Sequence, residues 1–341
     1  MEGKRRSPDG TARNRRRILI VLLVLAALPL VGAGWQRIAT AADQRRYPPP
    51  GELVPVDDLG GRLHLHTQGR RHRDDSPDAP VVLLDAGTPG FSAQWGWIQP
   101  AIAEFATVVA YDRPGLGWSD PRRGDSPSDP RDTADRLHAA LQKLGLPGPY
   151  LVVGHSYGGL TSRVFAAAYP DEISGLVLVD PSHPDQGNPP GGGNPAGSMW
   201  FMPPLAHTGA LRLGVLTGLF DSRIGDLPER QANEAAAIFV QPGQWSAVEL
   251  ELAAWSDMAT QLEHAKPLGD LPLTVLSAGT GSLEEQQLHG ELAALSSRGS
   301  HTSVAAATHL SLLTDREHSQ ATVDAVHATL TAAETAATKP R

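Results

Sequence analysis

The run Gly154-His155-Ser156-Tyr157-Gly158-Gly159 constrains this chain more than any other feature, because of what stands on either side of it. Pro149-Tyr150-Leu151-Val152-Val153 before it is a short apolar segment of β-rich composition, which predicts a buried strand. Leu160 to Tyr169 after it has helical composition and is stopped by Pro170. A G-x-S-x-G sequence between strand and helix is a sharp turn that lifts a serine hydroxyl to the carboxyl edge of a sheet. Its glycines let the backbone turn and pack closely. The N–H of Tyr157 then opens the helix, where unpaired amides stabilise an oxyanion. For the pentapeptide alone, a glycine-rich turn with a capping serine is the plain structural alternative. The flanking strand and helix argue against it.

The same logic extends along the chain. Val81 to Asp85, Thr107 to Tyr111 and Gly175 to Val179 predict strands, with helices at Trp97 to Phe105 and Pro130 to Leu144. In the latter, Ala134, Leu137, Leu141 and Leu144 share one face. Such alternation implies βαβ units, hence an α/β fold with a mostly parallel central sheet covered by helices on both faces. Upstream, Leu53 to Val56 and Arg62 to Thr67 predict a hairpin turning at Gly60-Gly61. His64 and His66 alternate with Leu63 and Leu65; with no third ligand nearby in sequence, they are expected to be exposed strand histidines rather than a metal pair. Arg70 to Asp78 is a charged loop.

The alternation breaks between His183 and Lys266. Gly187 to Gly197 is dominated by Gly, Pro and Asn and predicts a mobile loop. Leu205 to Leu219, Glu229 to Phe239 and Trp245 to His264 predict helices with no strand between them, an inserted helical lid. Strands at Leu271 to Leu276 and His301 to Ala306, and helices at Leu283 to Leu295 and Gln320 to Ala333, then resume the pattern. The core is therefore expected in two parts, residues 51–182 and 268–337, around a lid at 183–267.

The N-terminus has a different character. Lys4, Arg5, Arg6, Arg13, Arg15, Arg16 and Arg17 precede Ile18 to Gly34, 17 residues without a charge, closed by Trp35 and Arg37. Residues 1–17 read as a cytoplasmic basic tail and 18–35 as a single-pass signal-anchor, with the remaining domain extracytoplasmic. Cleavage near Ala41 and secretion compete with this, since Ala39-Thr40-Ala41 fits a signal-peptidase site and Arg15-Arg16 a twin-arginine route. Residues 36–50, ending in Tyr47-Pro48-Pro49-Pro50, are expected to be a stiff Pro-rich linker. Elsewhere the balance is acidic. With 29 Lys and Arg against 37 Asp and Glu, net charge is -8, which argues against nucleic-acid binding. The absence of Cys excludes thiolate catalysis, cysteine metal sites and disulfides.

Taken together, the elbow, the alternation, the late helical insertion and a C-terminal His resemble the α/β-hydrolase superfamily. Tyr111-Asp112-Arg113-Pro114-Gly115-Leu116-Gly117-Trp118-Ser119, the elbow and Leu176-Val177-Leu178-Val179-Asp180-Pro181-Ser182-His183 look like its lid-bearing, esterase-like members. The likeness covers roughly residues 53–335. It implies that Ser156 is the nucleophile and that His309, last in chain order, is its base. The acid has alternatives. Most of the family carries it after the strand that follows the lid, where this chain has only Glu284 and Glu285. Some members carry it at the end of the strand before the lid, which is Asp180 here, with Asp185 an outsider. Aligning Ala86-Gly87 with the family's His-Gly loop makes the Thr88 N–H the second oxyanion donor beside that of Tyr157. Trp95 and Trp97 either line the pocket or pack a helix, while Asp112 and Arg113 pin their turn.

The implied activity is serine hydrolysis of carboxylic esters, small or lipid-like, through an acyl-enzyme and without cofactor or metal. Amide, thioester or carbon–carbon bond hydrolysis with the same triad, and a non-catalytic binding module, are the alternatives. Dehalogenase and epoxide hydrolase chemistry is disfavoured, because those members need a carboxylate at the elbow where this chain has Ser156.

Overall fold

The computed structural model describes residues 8–56, 60–70, 76, 79–122, 129–187, 199–222 and 224–337. The elements run α1 (Pro8–Arg46), β1 (Glu52–Pro55), β2 (Arg62–Gln68), β3 (Val81–Asp85), α2 (Ile98–Ile102), β4 (Thr107–Tyr111), α3 (Pro130–Lys143), β5 (Tyr150–His155), α4 (Tyr157–Ala168) and β6 (Ile173–Val179). Five helices follow: α5 (Met202–His207), α6 (Ala210–Leu216), α7 (Glu229–Phe239), α8 (Pro242–Ala253) and α9 (Trp255–Glu263). Then come β7 (Leu273–Ala278), α10 (Leu283–Ala293), β8 (Gly299–Val304), α11 (Ser311–Thr314) and α12 (Ser319–Ala337).

The eight strands form one sheet in the order β1-β2-β4-β3-β5-β6-β7-β8. Pairings β1–β2 and β2–β4 are antiparallel, and every later pairing is parallel. The apolar runs are continuous rather than alternating because both faces are covered. In β3, Val81 and Leu83 join the core cluster that holds Leu137 of α3 and Phe165 of α4. Val82 and Leu84 join the opposite cluster, with Ile98 of α2 and Val326 of α12. Asp129 caps α3, accepting a hydrogen bond from the Arg131 N–H at 2.9 Å, with Pro130 beside it in the first turn.

The helices between β6 and β7 hold together through their own apolar cluster, with Met202, Leu211, Trp245 and Val248 packing against Leu116 of the core. Two expected helices are each divided. The 205–219 helix breaks between α5 and α6 at Gly209, whose φ of 72° is left-handed. The 245–264 helix breaks at Ala254. Residues 188–197 of the expected mobile loop, and 71–75, 77 and 78 of the charged loop, lie outside the described residues.

Two expectations are corrected. Residues 36–46 do not belong to an extended linker: α1 continues to Arg46, and only the proline run ends it. Gln36 is buried, donating from Nε2 to the Val240 carbonyl at 2.8 Å and accepting from Arg212 Nε at 2.8 Å. Arg212 also pairs with Asp43 at 2.8 Å, so the end of α1 is built into the helical insertion. Among the described residues, α1 is also the one helix long and apolar enough to cross a membrane, by length and composition.

The second correction is His64, which is fully buried rather than exposed. Its ring bridges two acceptors, Asp112 Oδ2 at 2.9 Å from Nδ1 and the Pro50 carbonyl at 2.8 Å from Nε2. Both contacts are made at once only by the doubly protonated ring. Asp112 in turn accepts from the N–H groups of Ser92 and Trp118, at 2.8 and 2.9 Å. Asp112 thus pins its turn as expected, and His64 is its counter-charge.

Candidate active site

Ser156 stands between β5 and α4 with φ 53° and ψ -124°, outside the ordinary regions for a non-glycine residue. A residue held this way costs about 1–3 kcal/mol and persists only where its surroundings over-determine it. Here they do. The Ser156 N–H donates to the Val179 carbonyl at 3.1 Å, and the Ser156 carbonyl accepts from Gly159 at 2.9 Å and Ser182 at 3.0 Å. The elbow glycines are needed for contact: a Cβ on Gly154 would lie 2.4 Å from the Gly158 carbonyl oxygen, and one on Gly158 2.3 Å from that of Asp85.

Asp180 follows β6 with φ 40°, another left-handed non-glycine residue. Its N–H donates to the Leu276 carbonyl at 2.7 Å, and its Oδ1 accepts from the Ala278 N–H at 2.7 Å. The register of β6 against β7 therefore aims the carboxylate. Its Oδ2 accepts from Nδ1 of His309 at 2.6 Å. Burial pushes the Asp180 carboxyl upward, but the bonds from His309 and Ala278 and the nearby histidines more than compensate, holding it below the usual carboxylate range. The carboxylate is mostly buried, with the side chain 13% exposed, whereas that of His309 is 48% exposed.

Ser156, Asp180 and His309 line one cavity of about 640 Å³, within the range of small-molecule sites. Glu284, Glu285 and Asp185 line it too. Glu285 accepts from the Ser282 N–H at 2.7 Å in the capping box that starts α10. Asp185 stands 3.5 Å from His183.

The loop after β3 closes over the elbow. A Cβ on Gly87 would lie 2.7 Å from Ser156 Cβ, so this backbone comes as near to the serine as a side chain allows. Thr88 is in that loop, and Tyr157 is the first residue of α4. Trp95 is fully buried in the core, and Trp97 donates to the Asp226 carbonyl at 2.8 Å. Neither lines the cavity, so helix packing describes both.

A buried charge cluster beneath this loop went unread in the sequence. Arg113 donates to Asp85 Oδ1 at 2.6 Å, to Glu251 at 2.6 and 3.0 Å, and to the Ala86 carbonyl. Glu251 Oε2 also accepts from the Thr88 hydroxyl at 2.6 Å, and its carbonyl accepts from the Tyr157 hydroxyl at 2.9 Å. One glutamate of the helical insertion therefore grips both residues expected to donate to the oxyanion. Burial opposes charge on Arg113, but Glu251 and Asp85 hold its pKa well above the usual value. The available signal was Glu251 itself, a charge near Trp245, Val248 and Leu252 on an apolar helix.

His155 is buried against His309, with ring centroids 4.5 Å apart, and its Nε2 donates to the His309 carbonyl at 3.0 Å. Burial, aided by the neighbouring His309, drives its pKa down to about 3, so it braces His309 as a neutral ring. Behind Asp180, His289 donates from Nε2 to the Pro181 carbonyl at 2.9 Å, while its Nδ1 meets the Ser277 hydroxyl at 2.6 Å.

Known proteins agree with this architecture. A family model described as the alpha/beta hydrolase fold matches residues 79–204. A Schizosaccharomyces pombe protein is 31% identical over 155 residues, 38% of this chain; the chain spans only 28% of that relative. YqjL of Bacillus subtilis is 26% identical over 243 residues, 69% of this chain and 76% of YqjL. A thermophilic esterase from Thermogutta terrifontis superposes with a TM-score of 0.61 at 18% identity, covering 81% of this chain and 97% of the esterase, a likeness of fold. Family match, sheet order and elbow converge: the chain has the α/β-hydrolase fold.

Proposed function

We propose that this protein is a serine hydrolase of carboxylic esters, with Ser156 as nucleophile, His309 as general base and Asp180 as the acid. The observation that carries the reading is the 2.6 Å contact between His309 Nδ1 and Asp180 on the cavity that Ser156 lines. A proton committed to Nδ1 leaves Nε2 unprotonated, the tautomer a base requires. His309 Nε2 takes the Ser156 hydroxyl proton as Oγ attacks the ester carbonyl carbon. The carbonyl oxygen becomes an oxyanion facing the Thr88 and Tyr157 N–H groups, each such donor being worth about 3 kcal/mol in the transition state. Collapse expels the alcohol, which leaves with the proton from His309. Water, deprotonated by the same nitrogen, then attacks the acyl-enzyme, releasing the carboxylic acid and restoring Ser156.

In this reading residues 183–267 are the lid over the site, and α1 is a signal-anchor that holds the domain at the membrane. The length and composition of α1 support the anchor. A fluorophosphonate probe tests the enzyme directly: full-length protein is expected to label once, at Ser156, and Ser156→Ala not at all. A folded protein that leaves the probe unreacted is a binding module. A panel of acyl esters, amides and thioesters then reads the bond cleaved.

A further inference from the structure

The end of α1 and the α5–α6 corner are packed backbone to backbone. A Cβ on Gly32 would lie 2.1 Å from the Thr208 carbonyl oxygen, and one on Gly209 3.1 Å from the Trp35 ring. With Gln36 buried against Val240 and Arg212 paired with Asp43, this junction fixes α5 and α6 at the level of residues 32–43 of α1. That level is where the apolar run of α1 ends, since Ile18 to Gly34 is uncharged and Trp35 and Arg37 follow.

Around the same corner the insertion exposes large apolar side chains. Trp200 is 67% exposed, Phe201 41%, Leu213 55%, Leu216 70% and Leu219 76%. Between Met199 and Phe220 the only Lys, Arg, Asp or Glu is Arg212, and its charge is spent on Asp43. A water-facing surface would carry charges there; this one carries aromatics and leucines, the composition of an interfacial helix. The 17-residue apolar run Ile18 to Gly34 rises only about 26 Å at 1.5 Å per residue, short of a hydrocarbon core about 30 Å thick. A short span draws what is rigidly attached to its end down against the bilayer.

We propose that the α5–α6 corner and the following turn to Leu219 are a membrane-docking surface, seated in the headgroup and upper acyl region of the bilayer. Trp200 and Phe201 lie at the interface, and Leu213, Leu216 and Leu219 insert among the acyl chains. The occupant is lipid: the surface continues directly from the apolar end of α1, and no free charge among residues 199–220 separates the two. The helical insertion is thereby held on the membrane independently of the chemistry at Ser156. The inference rests on α1 being a membrane span.

The chain has no Cys, so single cysteines can be introduced and spin-labelled without background. Full-length Leu216→Cys and Leu219→Cys, reconstituted in vesicles of phosphatidylcholine and phosphatidylglycerol, are compared with Leu23→Cys in α1 and Leu283→Cys on α10. Wild-type positions 216, 219, 23 and 283 are all exposed, so labelling disturbs no core. The expected result is a severalfold higher ratio of oxygen to nickel-chelate accessibility at 216 and 219 than at 283, approaching that at 23. If 23 reads as lipid while 216 or 219 reads as water, docking is overturned and the anchor stands. If 216 and 219 are shielded from both reagents, a second protein copy covers the surface and docking by lipid is wrong. If 23 itself reads as water, the span fails and docking fails with it.

Discussion

Asp180→Asn is the most discriminating perturbation of the proposed triad. The native carboxylate accepts twice, from the Ala278 N–H at 2.7 Å on Oδ1 and from His309 Nδ1 at 2.6 Å on Oδ2. An asparagine has only one acceptor end. If its oxygen stays on Ala278, its NH2 faces His309, whose Nδ1 must then accept, moving the ring proton to Nε2 and abolishing the base. If its oxygen turns to His309, the NH2 opposes the Ala278 N–H, and a buried donor goes unpaired at about 1–3 kcal/mol. Backbone strain at Asp180, with φ 40°, gives the loop little freedom to relax. The first arrangement is therefore favoured, and the ring also loses the negative charge that stabilises imidazolium. The equivalent change in serine-protease triads costs about 10⁴-fold in turnover, or roughly 5.4 kcal/mol. The assay is kcat on the best ester from the panel, with thermal melting to establish that each variant is folded. Glu285→Gln and Glu284→Gln should change kcat less than about tenfold, since a helix-start glutamate contributes only about 0.3–1 kcal/mol. Near-normal kcat in folded Asp180→Asn would refute the assignment.

Glu251→Ala removes one partner of buried Arg113, and such loss typically costs about 3–5 kcal/mol; because Asp85 remains, the lower end is expected. Urea unfolding measures it, and a loss under about 1 kcal/mol would mean the cluster does not hold the insertion to the loop. For the buried His64–Asp112 pair, burial would lower the His64 pKa, but Asp112 raises it above 6.5. Its stabilisation is therefore full below 6.5 and lost as pH rises through the raised value. Burial would raise the Asp112 pKa, but His64 and two backbone N–H groups lower it beneath 3.8, so that contribution is present above 3.8 and lost as pH falls through the lowered value. The melting temperature should accordingly fall as pH rises from 6.5 through that raised value, and a His64→Gln variant should flatten that fall; equal slopes in both proteins would exclude the pair as its source. Full-length protein should stay in the membrane fraction through a carbonate wash, and recovery of a soluble form beginning near Ala42 would establish cleavage instead.

What the sequence by itself determined was whatever is encoded between near neighbours. Strand β3 at Val81–Asp85 and β4 at Thr107–Tyr111 coincide with their apolar runs, because a strand buried on both faces needs no partner to be recognised. The elbow was legible for the same reason: strand, glycines, serine and helix stand within twenty residues, and close packing at Gly154 and Gly158 excludes a Cβ. Distant partners decided the rest. His64 looked like an exposed strand residue until its antiparallel strand brought it to Asp112, 48 positions away. Nothing local joins Arg113 to Glu251, 138 positions on, since a buried charge finds its partner only when the insertion folds onto the core. Asp180, Glu284 and Glu285 could not be ranked by spacing. The β6–β7 register turns the Asp180 carboxylate toward His309 while the start of α10 occupies Glu285, contacts that only tertiary structure supplies, for a hydrogen bond depends on distance in space and not along the chain.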